Sequence, residues 1–162
     1  MSFALKYAPT RLDDIVISSQ TLKNRLSDYI HDRDLKPLIL HGGVGTGKTT
    51  IANLLPDAIE GRKAEVTRLK AVEFNSINDV MQTFEDHTMF YQVFTINDQK
   101  RNYIISNEIN FTPKAAIAFR DVIDNMIGHT QFIFTTNYID QVDIALRDRS
   151  NCIAVPPVTA KD

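Results

Sequence analysis

The sequence predicts an α/β fold of three layers, with helices flanking a mainly parallel sheet of five strands. Three observations predict it. Short apolar runs alternate with amphipathic stretches, the pattern left by parallel strands joined through crossover helices. One run, Leu38-Ile39-Leu40-His41, leads directly into a glycine-rich turn and then into helix-forming sequence. The chain has 162 residues, the length of one domain with a sizeable core.

Each element follows in chain order. Leu22, Leu26, Tyr29 and Ile30 recur at helical spacing, so a helix is expected to end ahead of Pro37. The first strand covers 37–41. The helix after the glycine turn continues through 50–55 and is ended or kinked at Pro56, which has no N–H to donate and crowds the preceding turn. A second strand is expected over 71–74, then a helix over 77–84 with Asn75 or Ser76 as its N-cap. The third strand, over 103–106, is apolar enough to be buried. A helix over 114–126 tolerates Pro113 in its first turn and closes at Gly128. A fourth strand over 131–135, a short helix over 142–148 and a fifth strand over 152–155 complete the sheet before Pro156 and Pro157 stop regular structure. The spans 61–70 and 87–100 have room for an additional hairpin. The domain is expected over 1–157, with 158–162 as a tail.

Composition excludes several function classes. Apolar residues make up 43% and charged residues 23%, ordinary values for a soluble globular chain. The formal charge is −2 and no run of five basic residues occurs, so the domain lacks the electrostatic footprint of a self-sufficient nucleic-acid binder. Contact with DNA would be local or shared with partners. Cys152 is the only cysteine, which excludes an internal disulfide and a multi-cysteine metal site and fits a reducing cytoplasm. The N-terminus carries Lys6 and Arg11 but no apolar h-region, and no stretch reaches the roughly 18 apolar residues of a membrane span.

The chemistry concentrates at 42–49. Gly42, Gly43, Val44, Gly45, Thr46, Gly47, Lys48 and Thr49 form G-x-x-x-x-G-K-T between a strand and a helix, the context a phosphate-binding loop requires. Its glycines let successive N–H groups face a β-phosphate, and the helix N-terminus, with Thr50 next in line, adds partial positive charge. Lys48 is expected to reach the β- and γ-phosphates of ATP and the Thr49 hydroxyl to bind Mg²⁺. Kinases, GTPases, helicases and AAA+ proteins all hold phosphates this way, so the loop alone does not choose among them.

Further stretches carry a resemblance. Tyr103-Ile104-Ile105-Ser106-Asn107-Glu108 looks like the apolar strand and acidic pair called Walker B, with Asn107 in place of the usual Asp. An amide there still accepts a bond from a metal-bound water but brings no charge. Phe132-Ile133-Phe134-Thr135-Thr136-Asn137 resembles a sensor 1 strand. Ala145-Leu146-Arg147-Asp148-Arg149-Ser150-Asn151-Cys152 resembles the Ser-Arg-Cys segment of clamp-loader ATPases, with Asp148 and Ser150 where that family has Ser and Cys. Lys6-Tyr7-Ala8-Pro9-Thr10-Arg11-Leu12-Asp13-Asp14-Ile15-Val16 is similar to the family's Lys-Tyr-Arg-Pro stretch with its following Leu-Asp-Glu-Val-Val, except for Ala8. Val72-Glu73-Phe74-Asn75-Ser76 looks like its Leu-Glu-Leu-Asn-Ala. In this order the matches cover nearly the whole chain, which is thereby similar to the AAA+ clamp-loader small subunits, of replication factor C type or their phage counterpart.

The resemblance implies a RecA-like ATPase core with ATP and Mg²⁺ as cofactors. It gives Glu108 the polarisation of the attacking water, Asn137 contact with the γ-phosphate or that water, and Thr49 and Asn107 the metal. Tyr7, Pro9, Ile15 and Val16 would lie beside the adenine. Asn75 would be a switch that turns Glu108 away when DNA is absent, and Arg149 a finger offered to a neighbouring subunit's ATP. The implied partners are other AAA+ subunits in a homo- or hetero-oligomeric ring, a sliding clamp and primer–template DNA, in the cytoplasm, including that of a phage-infected bacterium. The family's helical lid, with its sensor 2 arginine, and its collar domain would follow the last strand and are not in this sequence. Two other function classes stand beside this one: a nucleotide-binding regulatory or decoy subunit with little hydrolysis, motivated by Asn107, and an unrelated small-molecule kinase, which leaves Arg149 and the N-terminal match unexplained.

Overall fold

The computed structural model describes residues 9–31, 36–70, 98–109, 111–126 and 128–158, together with Ser76, Asn78 and Gln82. Its strands are β1 (Leu38–His41), β2 (Val66–Lys70), β3 (Asn102–Asn107), β4 (Thr130–Thr136) and β5 (Asn151–Ala154). They form one five-stranded sheet in the order β2-β3-β4-β1-β5, with each neighbouring pair parallel. The helices are α1 (Gln20–His31), α2 (Lys48–Glu60), α3 (Pro113–Met126) and the short α4 (Ile144–Asp148). Single 3-10 turns cover Leu12–Asp14 and Ile139–Gln141.

Strand alternation assigns each apolar side chain to one of two cores. Ile39, Ile104, Phe132 and Phe134 face α3 and α4, where they meet Phe119, Ile123 and Leu146. Leu38, Leu40, Ile105 and Ile133 face the other way, onto Leu22 and Leu26 of α1 and Ile51 and Leu55 of α2. Central β4 is buried at each of its seven positions. Burial on both faces is why its middle reads as the unbroken apolar run Phe132-Ile133-Phe134, with buried Thr and Gln at its ends. The three layers expected from the sequence are therefore present, with helices on both sides of a parallel sheet. Among the described residues no helix is long and apolar enough to cross a membrane.

Some expectations need correction. Pro56 neither ends α2 nor stands at its margin: it is buried inside the helix, which runs on to Glu60 and stops at Gly61 with φ 69°. The hydrogen bond that a proline withholds is offset by continued burial of Ile59 on the face already formed by Ala52 and Leu55. The span 61–70 holds a single strand, β2, paired in parallel with β3 from Val66↔Tyr103 onward. It was hard to see because an edge strand needs only one buried face, and here only Val66 and Leu69 are apolar. Gly128 lies in the turn before β4. The strand expected over 71–74, most of the helix expected over 77–84, and both Tyr7 and Asn75 lie outside the described residues.

Candidate functional site

Three adjacent strands end at the same edge of the sheet. Register pairs His41 of β1 with Thr136 of β4, and Ser106 of β3 with Phe134 of β4. Gly42, Glu108 and Asn137, which follow these strands, are thereby brought together at their carboxyl ends, where open α/β sheets bind ligands.

The loop 42–49 is shaped by glycine at two places in particular. Gly47 precedes α2 with φ 90°, a left-handed conformation that lets the chain turn into the helix and leave its first N–H groups pointing outward. Gly42 has φ 150°, and a Cβ there would fall within the Val155 carbonyl oxygen's contact shell. Gly43 has ordinary backbone and its nearest foreign atom would lie 3.9 Å from a Cβ. We therefore expect Gly42→Ala to lower stability by about 3 kcal/mol and Gly43→Ala by well under about 1 kcal/mol, measured by denaturant titration. Equal costs would show that the approach of Gly42 to Val155 is unimportant.

Lys48 is buried, and its ammonium donates to the Gly43 carbonyl and, at 3.4 Å, to Thr46 Oγ1. The Thr46 hydroxyl in turn donates to the Gly43 carbonyl at 3.0 Å. Burial pushes the Lys48 pKa below its ordinary value, while the Glu108 carboxylate pulls it back up. Among the described residues no carboxylate lies within 4.0 Å of this ammonium. A buried cation whose partners are the loop's own oxygens, beside a helix N-terminus, suits a polyphosphate. Thr49 and Val44 are exposed on the same loop, and Thr50 is half-buried.

The oxygen donors also fit Mg²⁺ held in the manner usual beside phosphates. That ion keeps several waters and takes one or two protein oxygens, so it needs no all-protein cage. Among the described residues no cluster of three or more His, Cys, Asp or Glu could hold a metal alone. Thr49 offers a hydroxyl and Asn107 a half-buried amide oxygen.

Glu108 is exposed, with φ 55°. Its N–H donates to Thr135 Oγ1 at 3.1 Å, and the Thr135 hydroxyl donates to Asn107 Oδ1 at 3.3 Å. Asn137 is half-buried just beyond β4, where the Tyr138 N–H donates to Thr136 Oγ1 at 3.1 Å. Within the sensor-like stretch the sequence assigns Thr135 no role of its own, although a hydroxyl pair closing an apolar strand is a visible signal.

Ile15 and Val16 line a cleft that also includes Thr46, Ile51, Val155 and Pro156, so the N-terminal stretch meets the phosphate loop there. Pro9 is half-buried and outside this lining. Arg149 lies elsewhere. It caps α4, its Nε is 3.3 Å from Asp124 of α3, and two residues on is Asn151, whose N–H donates to the Pro37 carbonyl at 2.7 Å. That places Arg149 near the amino end of β1, opposite the end from which the phosphate loop leaves.

Comparison with known proteins gives the following. Residues 38–156 match the model of the ATPase family associated with various cellular activities (AAA). The chain is 26% identical over 94% of its length to replication factor C small subunit 2 of Pyrobaculum arsenaticum, covering 47% of that protein. It is 28% identical over 94% of its length to the replication factor C small subunit of Picrophilus torridus, covering 48%. The chain thus spans about half the length of these curated relatives. In fold it is similar to a DNA polymerase III gamma subunit-related protein from Thermotoga maritima, with TM-score 0.69 and 17% identity over 86% of this chain and 47% of that one. RuvB of the same organism gives TM-score 0.67 and 16% identity over 93% of this chain and 49% of its own.

Proposed function

The chain belongs to the AAA family of ATPases, and on that premise we propose that it is the ATP-binding module of a DNA-polymerase sliding-clamp loader, coupling ATP binding and hydrolysis to clamp loading on primed DNA. The observation that carries the reading is the buried Lys48 in its glycine loop, with Glu108 and Asn137 following the two neighbouring strands. Similarity to replication factor C small subunits along nearly the whole chain favours a clamp loader over other users of the same loop.

In this reading the loop N–H groups and Lys48 bind the phosphates, and Ile15 and Val16, with Pro9 and Tyr7, flank the adenine. Glu108 orients and polarises the attacking water, and Asn137 senses the γ-phosphate. Thr49 and Asn107 hold Mg²⁺, which when bound neutralises charge on the phosphate oxygens. Arg149 serves the ATP of a neighbouring AAA+ subunit in a ring. Asn75 is the switch acting on Glu108. The sliding clamp and primer–template DNA are engaged through the assembly. ATP turnover measured with and without a clamp and primed DNA tests the proposal: stimulation by both supports it, and indifference to both rejects the clamp-loading role.

A second reading, a regulatory or decoy subunit that binds ATP with little hydrolysis, is favoured by one observation. Asn107 is uncharged, and its carbonyl oxygen already accepts the Thr135 hydroxyl. Hydrolysis by this chain alone is therefore expected to be slow and its nucleotide binding weakly dependent on Mg²⁺. Asn107→Asp should raise turnover about tenfold, equivalent to about 1.4 kcal/mol, and sharpen the Mg²⁺ requirement. No change in either property would remove Asn107 from the metal site.

A further inference from the structure

We propose that Thr135 is the positioning residue that fixes the backbone of Glu108 at the mouth of the site; the inference takes from the proposed function only that Glu108 faces the reacting phosphate. Glu108 is at φ 55°, a left-handed conformation that a residue with a Cβ adopts only when its surroundings hold it there. The holding contacts converge on one residue. The Thr135 hydroxyl accepts from the Glu108 N–H at 3.1 Å and donates to Asn107 Oδ1 at 3.3 Å. The Thr135 carbonyl accepts from the Ile109 N–H at 3.0 Å.

Three successive residues at the end of β3 are thus tied to a single residue of β4. Thr135 is 1% exposed, so water does not stand in for its hydroxyl. The hydroxyl has one proton to donate and spends it on Asn107, leaving its lone pairs for the Glu108 amide. Ile109, 5% exposed, anchors the far side of the turn in the core. Without the hydroxyl, the Glu108 N–H and Asn107 Oδ1 lose their partner together, and φ at 108 is free to relax to the favoured side. The carboxylate then leaves the direction in which the turn presents it.

The test compares Thr135→Val, which keeps the shape and removes the hydroxyl, with Thr135→Ser, which keeps the hydroxyl. The first readout is amide hydrogen exchange at Glu108 in the chain without nucleotide. Valine is expected to speed it at least about tenfold and serine to leave it within about threefold of wild type. The second readout is turnover against ATP affinity: valine should lower kcat about tenfold at unchanged Kd, a separation that general loss of structure would not produce. Unchanged exchange in the valine variant overturns the proposal, as does a serine variant as impaired as valine, or altered exchange with undiminished kcat. Should valine unsettle the fold, thermal melts of the pair with Glu108→Gly decide. Glycine adopts φ 55° without strain and so has none to release, and Thr135→Val must therefore cost more Tm in that background than beside Glu108, where relaxation of φ returns part of the loss; an equal cost overturns the proposal. The exchange and melting arms need no nucleotide. Failure of the wild-type chain to bind ATP would therefore overturn the proposed function and leave this inference to be decided on its own.

Discussion

Replacing Lys48 with Ala is expected to weaken triphosphate binding by about 2–5 kcal/mol, a factor of about 30 to 5,000 in Kd. In the proposed reading the buried ammonium, bonded to the loop's own oxygens, is the side-chain charge offered to the phosphates, and truncating it leaves backbone donors and the helix terminus to hold them alone. The fold should survive, because the described bonds of the ammonium run only to Gly43 and Thr46 of the loop itself. Calorimetric titration with ATP, paired with a thermal melt, checks both halves of the statement. Equal affinity in wild type and variant would remove the phosphate site on which the functional reading stands. Lowering of the Lys48 pKa by burial adds a pH signature: affinity should decline as pH rises toward the ordinary lysine range, since only the protonated ammonium attracts the phosphates.

Arg149→Ala is expected to leave ATP binding by the isolated chain intact and to reduce turnover of an assembled ring by about 10³-fold or more, the scale of trans-acting arginines in P-loop systems. The argument is one of direction along the sheet. Arg149 precedes β5 near the amino end of β1, whose Pro37 carbonyl bonds Asn151, whereas the phosphate loop leaves the carboxyl end of β1. At about 3.3 Å per strand residue the offset from Pro37 to Gly42 is about 16 Å, more than an arginine side chain spans. The ion pair with Asp124 joins two side chains that are 43% and 52% exposed, and pairs of that kind contribute about 0–1 kcal/mol. It does not hold the guanidinium away from a neighbour's phosphate. A mixture of Lys48→Ala and Arg149→Ala subunits separates the possibilities: recovered turnover means the site is shared between subunits. A mixture as inactive as its components, with assembly verified by sedimentation, would refute sharing.

The amino-acid sequence by itself determined the features whose information is contiguous. The phosphate loop is legible because strand, glycines, lysine and helix follow one another within a dozen residues. The buried strands β3 and β4 are legible because burial on both faces writes an apolar centre, Tyr103-Ile104-Ile105 and Phe132-Ile133-Phe134, and α1 because one buried face writes a helical period. The positions of Glu108 and Asn137, the proposed Walker B and sensor 1 residues, follow from those strands, since they are simply what comes next along the chain.

Tertiary structure decided everything that depends on residues far apart in sequence. Edge strand β2 has too few apolar residues to announce itself and exists because β3 offers its backbone as a template. Pro56 stays in α2 because the packed face continues past it to Ile59. The need for glycine at position 42 comes from the Val155 carbonyl, brought against it when β5 pairs with β1. Thr135 reaches Asn107 and Glu108 only because β3 and β4 are neighbours in this register. Arg149 faces away from the loop of its own chain because the strand it precedes runs parallel to β1, placing the start of one beside the start of the other. Apart from Pro56, where the packed helix face decides, the deciding force is a close contact or hydrogen bond set by the pairing of strands, and register is something no local pattern of residues encodes.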